Sequence, residues 1–161
     1  MAKNKEEKTN VMRILEQKKI AYTAHSYPHE EGVAVDGVTV AESMGQNPGQ
    51  VFKTLLARGG KSFYVFDIPV ADELDLKKAA KAVGEKSIEM VAVKELLPLT
   101  GYVRGGCSPV GMKKLYPTVF HNSVENLSSV IVSAGKIGYQ VEVAPQDLLT
   151  LVRGTTADII V

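Results

Sequence analysis

Tryptophan is absent, cysteine occurs once at Cys107, and neither charge sign dominates: 19 Lys and Arg stand against 18 Asp and Glu, a net charge of +1 over 161 residues. Each scarcity excludes something. A lone thiol cannot build an internal disulfide framework. The near balance of charge gives no global signature for a polyanion, so any nucleic acid must be held by a local cluster of Lys and Arg or through another protein. No apolar run is long enough to cross a bilayer, and no secretory apolar segment follows Met1-Ala2-Lys3-Asn4-Lys5, which predicts a cytoplasmic protein with no membrane partner. His25, His29 and His121 lack metal-ligand spacing with one another or with Cys and carboxylates, so no metal and no other cofactor is expected. What is present is the composition of an ordinary globular chain, 45% hydrophobic and 23% charged, of a length that suits one domain over residues 1–161.

The hydrophobic pattern switches between helical and strand periods along the chain. After a polar opening over residues 2–8, Asn10 suits a helix cap, with Val11, Ile14 and Leu15 at helical spacing up to about residue 19. Residues 20–27 alternate as a strand, residues 28–37 read as loop, and Thr39 opens a short helix that Gly45 ends. Two strands over residues 51–56 and 62–70 are joined by a hairpin at Arg58-Gly59-Gly60-Lys61. Asp75 suits the cap of a helix that buries Leu76, Ala79, Ala80 and Val83, turns Lys77, Lys78 and Lys81 outward, and stops at Gly84. A strand over residues 87–91, a helical turn over 94–97 closed by Pro98, strands over 118–121, 129–133 and 139–143, and a helix from Pro145 to Gly154 follow. Hairpin-joined strands with interspersed helices predict an α+β fold, a curled, mostly antiparallel mixed sheet with helices around it.

Within that pattern Lys53 is out of place. It sits in Val51-Phe52-Lys53-Thr54-Leu55-Leu56, a strand apolar on both faces, where an ammonium is costly unless an anion or polar group meets it. It either snorkels to a strand end or reaches into a site. Two loops could complete such a site. Glycines in Gly105-Gly106-Cys107-Ser108-Pro109-Val110-Gly111 would let successive amides cradle a carbonyl oxygen or anion, and the same run also serves as a tight structural turn. In Ser133-Ala134-Gly135-Lys136-Ile137-Gly138 a strand-end serine precedes a glycine turn, which alone is a hairpin.

Taken in order, these segments resemble the YbaK family. The resemblance rests on the lysine strand, on Leu74-Asp75-Leu76-Lys77-Lys78, on Thr100-Gly101-Tyr102-Val103 with the glycine loop, on Val132-Ser133-Ala134-Gly135-Lys136 and on Glu142-Val143-Ala144-Pro145-Gln146-Asp147-Leu148, and it spans nearly the whole chain. It implies a trans-acting Cys-tRNA(Pro) deacylase, related to the editing domain of bacterial prolyl-tRNA synthetases, with the tRNA(Pro) acceptor end and prolyl-tRNA synthetase as partners. Editing is needed because a pocket shaped for proline rejects small side chains poorly. The resemblance further implies that Lys53 meets phosphate or ribose at the acceptor end, that Gly105 and Pro109 bound a loop whose amides, with Gly106, Cys107 and Ser108, hold the aminoacyl carbonyl, and that Ser133 donates to the substrate. Tyr27 is the implied pocket wall, Thr54 an implied substrate contact, and Gly135 shapes the serine loop. The implied mechanism needs no protein nucleophile, because the substrate thiol attacks its own ester. Gln140 stands where some members carry aspartate and Ala134 where glycine is common. A deacylase for another charge such as Ala-tRNA(Pro), or a non-catalytic tRNA-end or nucleotide-binding module, remains a distinct alternative.

Overall fold

A computed structural model describes residues 8–30 and 32–161, so most of the polar opening over residues 2–8 lies outside the described residues. Helix α1 (Asn10–Gln17) is capped one residue earlier than expected, by Thr9, whose hydroxyl accepts from the Met12 N–H; Val11, Met12 and Leu15 are its buried stripe. Helix α2 (Gly37–Ser43) is likewise capped by Asp36, whose carboxylate accepts from the Thr39 N–H, and not opened by Thr39. Helix α3 (Leu76–Val83) runs from Asp75, which accepts from the Lys77 and Lys78 N–H groups, to Gly84 in the left-handed region. Ala79 and Ala80 are buried there, whereas Leu76, at the first helical position, is exposed.

Pro98 does not end the next helix, α4 (Val93–Thr100), as its sequence suggests. The Thr100 hydroxyl donates to the Leu96 carbonyl and the Gly101 N–H to that of Leu97, which satisfies the last turn that proline would otherwise weaken. Helix α5 (Pro145–Val152) starts at its proline but is closed by Arg153 in the left-handed region, one residue before the expected Gly154.

The strands form two sheets. Three of them, β1 (Tyr22–Ser26), β6 (Val130–Ser133) and β7 (Tyr139–Val143), make an antiparallel sheet in the order β1-β7-β6. The other five are β2 (Phe52–Gly59), β3 (Ser62–Pro69), β4 (Glu89–Met90), β5 (Thr118–His121) and β8 (Thr155–Ala157), in the order β4-β2-β3-β5-β8. Here β2 is antiparallel to β3 and β4, while β3–β5 and β5–β8 are parallel. The α+β, mostly antiparallel character holds, and the sheet is divided. Strand β8 was not expected, because Thr155-Thr156-Ala157 is too short to show a period.

One core lies between the three-stranded sheet, α1, α5 and the Phe52–Phe120 face of the larger sheet. A second lies on the opposite face of that sheet, where Ala57, Phe66, Ile68 and Val119 pack against Ala79 and Ala80 of α3 and against Ile159. Alternate residues of β2 and β3 therefore feed different cores, which is why both strands read as apolar throughout.

Candidate active site

The two sheets meet at one parallel bridge, Val51 to Ile131, and then part: β2 goes on to pair with β4 at Ala57 and Arg58, while β6 ends at Ser133. Carried two residues on, the parallel register sets Lys53 level with Ser133, and strand alternation puts both on the face of Val51 and Ile131, which packs against Ala41 of α2. Lys53 is half-buried and has no hydrogen-bond or ion-pair partner among the described residues. The Ser133 hydroxyl accepts from the Gly135 N–H at 3.1 Å, which occupies a lone pair and leaves its proton to donate. Gly135 (φ +92°) has room for no side chain, since an added Cβ would meet the Tyr102 ring and Val11 at 3.0 Å.

The glycine loop packs on the serine turn. Gly105 (φ +88°) lies against Ala34, where a Cβ would approach to 2.8 Å, and Gly106 against the Lys136–Ile137 backbone of the serine turn. The predicted amide cradle is partly spent: the Gly106 N–H donates to the Val103 carbonyl at 3.0 Å, and the Ser108 hydroxyl accepts from the Val110 N–H at 3.2 Å. The N–H groups of Cys107 and Ser108 have no backbone acceptor among the described residues, and Pro109 is buried behind them. Tyr27 is buried and tied by its N–H to the Gly138 carbonyl at 2.9 Å, which sets it beside the same hairpin.

Thr54 does not share the face of Lys53. Its hydroxyl lies 2.5 Å from Oδ1 of Asp67, its cross-strand partner on β3, and Asp67 is fully buried. Burial pushes the Asp67 carboxyl up to about 8, against the lowering effect of the Thr54 hydrogen bond. Cys107 is pushed up to about 12, first by burial and then by the Asp67 charge, against a hydrogen bond with Thr100. A buried, protonated thiol is a poor nucleophile. Asp67 was missed in the sequence, although Phe66-Asp67-Ile68 carries the same signal as Lys53, a charge inside an apolar strand. Gln140, where some family members carry aspartate, is buried and pairs amide to amide with Gln46, its Oε1 accepting at 2.9 Å.

A groove of about 800 Å³ between α5 and β8, lined among others by Glu125, Arg153 and Thr156, contains none of these residues. It is open and lacks convergent chemistry, so Lys53, Ser133 and the glycine loop are the site that the side chains mark.

Residues 32–151 match the family model described as "Aminoacyl-tRNA editing domain". The chain belongs to that family. The match takes in Lys53, Thr54, the glycine loop, Ser133 and Gly135, while Tyr27 precedes it. A relative from Enterococcus faecalis, named as a candidate Cys-tRNA(Pro)/Cys-tRNA(Cys) deacylase, is 47% identical over 161 residues, covering 99% of this chain and 98% of its own. A proline–tRNA ligase of Kosmotoga olearia is 30% identical over 100 residues, 62% of this chain and 17% of the ligase. Among solved structures, a candidate trans-editing enzyme for prolyl tRNA synthetase superposes with a TM-score of 0.79 at 25% identity, covering 94% of this chain and 96% of the other. The editing domain here thus spans nearly the full length of its free-standing relatives and a small part of the ligase.

Proposed function

We propose that this editing domain acts in trans as a deacylase of Cys-tRNA(Pro), holding the acceptor end between β2 and β6. The observation that carries the reading is an unpartnered, half-buried Lys53 set level with Ser133, whose turn packs on a glycine loop with two unspent amides. Lys53 supplies a cation for a phosphate or ribose oxygen. The Cys107 and Ser108 amides receive the developing oxyanion of the aminoacyl carbonyl. Ser133 donates to the aminoacyl group, with its lone pair already held by Gly135.

No side chain at the site is poised as a nucleophile, and Cys107 is held protonated by burial. The substrate thiol takes that part. Its sulfur forms a bond to the ester carbonyl carbon, the bond from that carbon to the ribose oxygen breaks, and the thiol proton leaves with the ribose oxygen as hydroxyl. Water then opens the cyclic thioester to free cysteine. The protein contributes orientation and oxyanion stabilisation, which can supply much of the barrier reduction.

Relatives joined to proline–tRNA ligase support prolyl-tRNA synthetase as the partner that brings tRNA(Pro) to a nearly neutral chain. A deacylation panel with Cys-, Ala-, Ser- and Pro-charged tRNA(Pro) tests the reading. Cysteine is released fastest and serine far more slowly; equal rates for the two sink the thiol mechanism, and preferential release of alanine reassigns the substrate.

A further inference from the structure

Asp67 has no role in that mechanism, yet its surroundings are unusual. It is fully exposed to neither solvent nor counter-charge: its relative exposure is 0%, its Oδ1 meets only the Thr54 hydroxyl, and its Oδ2 has no hydrogen-bond partner among the described residues. The groups facing it are Thr54 from β2, Phe120 in register from β5, and the Cys107 thiol from the glycine loop, with Tyr102 beyond the thiol. No cation is among them, and Lys53, although adjacent to Thr54, projects from the opposite face of β2. An ionised Asp67 would be an uncompensated buried charge, which proteins avoid by keeping the proton.

A neutral carboxyl beside one hydroxyl has two arrangements. With the proton on Oδ2, a buried O–H donor has no acceptor. With the proton on Oδ1, Asp67 donates to Thr54, only a carbonyl-type oxygen is left unsatisfied, and buried acceptors tolerate that better than buried donors. The second arrangement turns the Thr54 proton away from Asp67. Thr54 is half-buried on a strand face otherwise closed, the face that Asp67 and the Cys107 thiol of the glycine loop share, so its free side is toward that loop.

We propose that Asp67 is a neutral acid that donates to Thr54 and thereby presents the Thr54 hydroxyl to the bound aminoacyl group as a hydrogen-bond donor. Asp67 is then a positioning residue and Thr54 the group that touches substrate. The proposal rests on the deacylase reading for the identity of what Thr54 meets, but not for the protonation of Asp67. Ionisation of Asp67, whose carboxyl burial lifts to about 8, would pull the Thr54 proton back to the carboxylate and convert the donor into an acceptor.

The test has two arms. Carboxyl carbon NMR of the native protein follows Asp67 directly; the proposal expects it protonated at neutral pH and titrating well above the ordinary carboxylate range. An ionised Asp67 at neutral pH overturns the proposal whatever the substrate. The second arm measures kcat on Cys-tRNA(Pro) for Thr54→Val, Asp67→Ala and Asp67→Asn between about pH 6 and 9. Thr54→Val and Asp67→Ala each lose about tenfold or more, as for a missing positioned donor. Asp67→Asn, whose amide N–H can replace the acid O–H, rescues most of the loss. The native-to-Asn rate ratio cancels titration of the substrate itself, and it falls with rising pH as native Asp67 ionises. Failure of Asp67→Asn to rescue, or a ratio flat across the range, overturns the proposal. A native protein inactive on every charged tRNA counts against the deacylase reading, and the NMR arm still decides the state of Asp67.

Discussion

Lys53 is the residue whose chemistry the sequence left open, Cys107 is the lone thiol, and the structure separates them. Lys53 is half-buried, unpartnered and level with Ser133, the placement of a cation awaiting an anion. Lys53→Ala should abolish deacylation while leaving the circular dichroism spectrum and melting temperature unchanged, since no contact of its ammonium holds the fold. Unchanged activity would return it to a snorkelling lysine. Lys53→Arg tests geometry: a broad planar guanidinium in place of a compact ammonium keeps the charge but not its position, so a partial loss of activity is expected. Cys107 is the converse case. Its thiol is buried among Thr100, Tyr102 and Asp67 and keeps its proton. Cys107→Ala therefore keeps most of its deacylase activity, and the loss is one of stability, about 1 kcal/mol for a small buried cavity. Complete inactivation with intact folding would identify a catalytic thiol.

At the scale of elements, the legible features were those enforced within a few residues. Asp75 and Gly84 bound α3 as expected because cap chemistry is local, and the Gly59-Gly60 hairpin sets the full β2–β3 register. Strand β8 and the division into two sheets depend on partners far along the chain, and no period in three residues could announce them. At the site, Lys53, the glycine loop and the serine turn were legible as anomalies, whereas the partner of Asp67, Thr54, lies across the hairpin and is fixed only by the strand register. The same scale holds a tie that composition does not reveal. Glu142 of β7 accepts from the Ser129 hydroxyl, meets His25 of β1 at 2.8 Å and receives Gln50 at 3.3 Å, so one carboxylate links β7, β1 and the turn before β2. The Ser129 bond first, then His25, hold its carboxyl below the usual range. Because the folded pKa is depressed, its contribution is present above the unfolded value of 4.5 and is lost as pH falls through the folded one. Asp67 has the opposite sign: its folded pKa is raised, so the native state binds the extra proton and stability declines as pH rises from 3.8 toward about 8. Denaturant titrations across pH should show Glu142→Gln flattening the limb below pH 4.5 and Asp67→Asn flattening the decline between pH 3.8 and about 8. A Glu142→Gln variant with an unaltered acid limb would remove the tie from the account of stability.

For the molecule as a whole, a net charge of +1 conceals an uneven distribution. Between Glu95 and Glu125 the chain carries Arg104, Lys113 and Lys114 and no carboxylate side chain, and this stretch contains the glycine loop. Arg104 is exposed beside Gly105, the Lys113 side chain lies against Gly101, and Lys114 sits over the Tyr116 ring, so the cations border the glycine loop along the chain. Long-range attraction of RNA by so nearly neutral a chain is weak, whereas a few local cations can still set phosphates in register. The acceptor strand should therefore feel the border and not the molecule. Arg104→Glu combined with Lys113→Glu is expected to raise KM for Cys-tRNA(Pro) severalfold while leaving kcat and the melting temperature near native. It should also reduce the slope of log KM against log salt by about one for each phosphate contact removed. The same reversal made at Lys77 and Lys81, on the outer side of α3, should change neither quantity. Equal effects from the two pairs would mean that RNA responds to net charge alone, and an unchanged KM at the loop pair would place the acceptor strand on another border of the site.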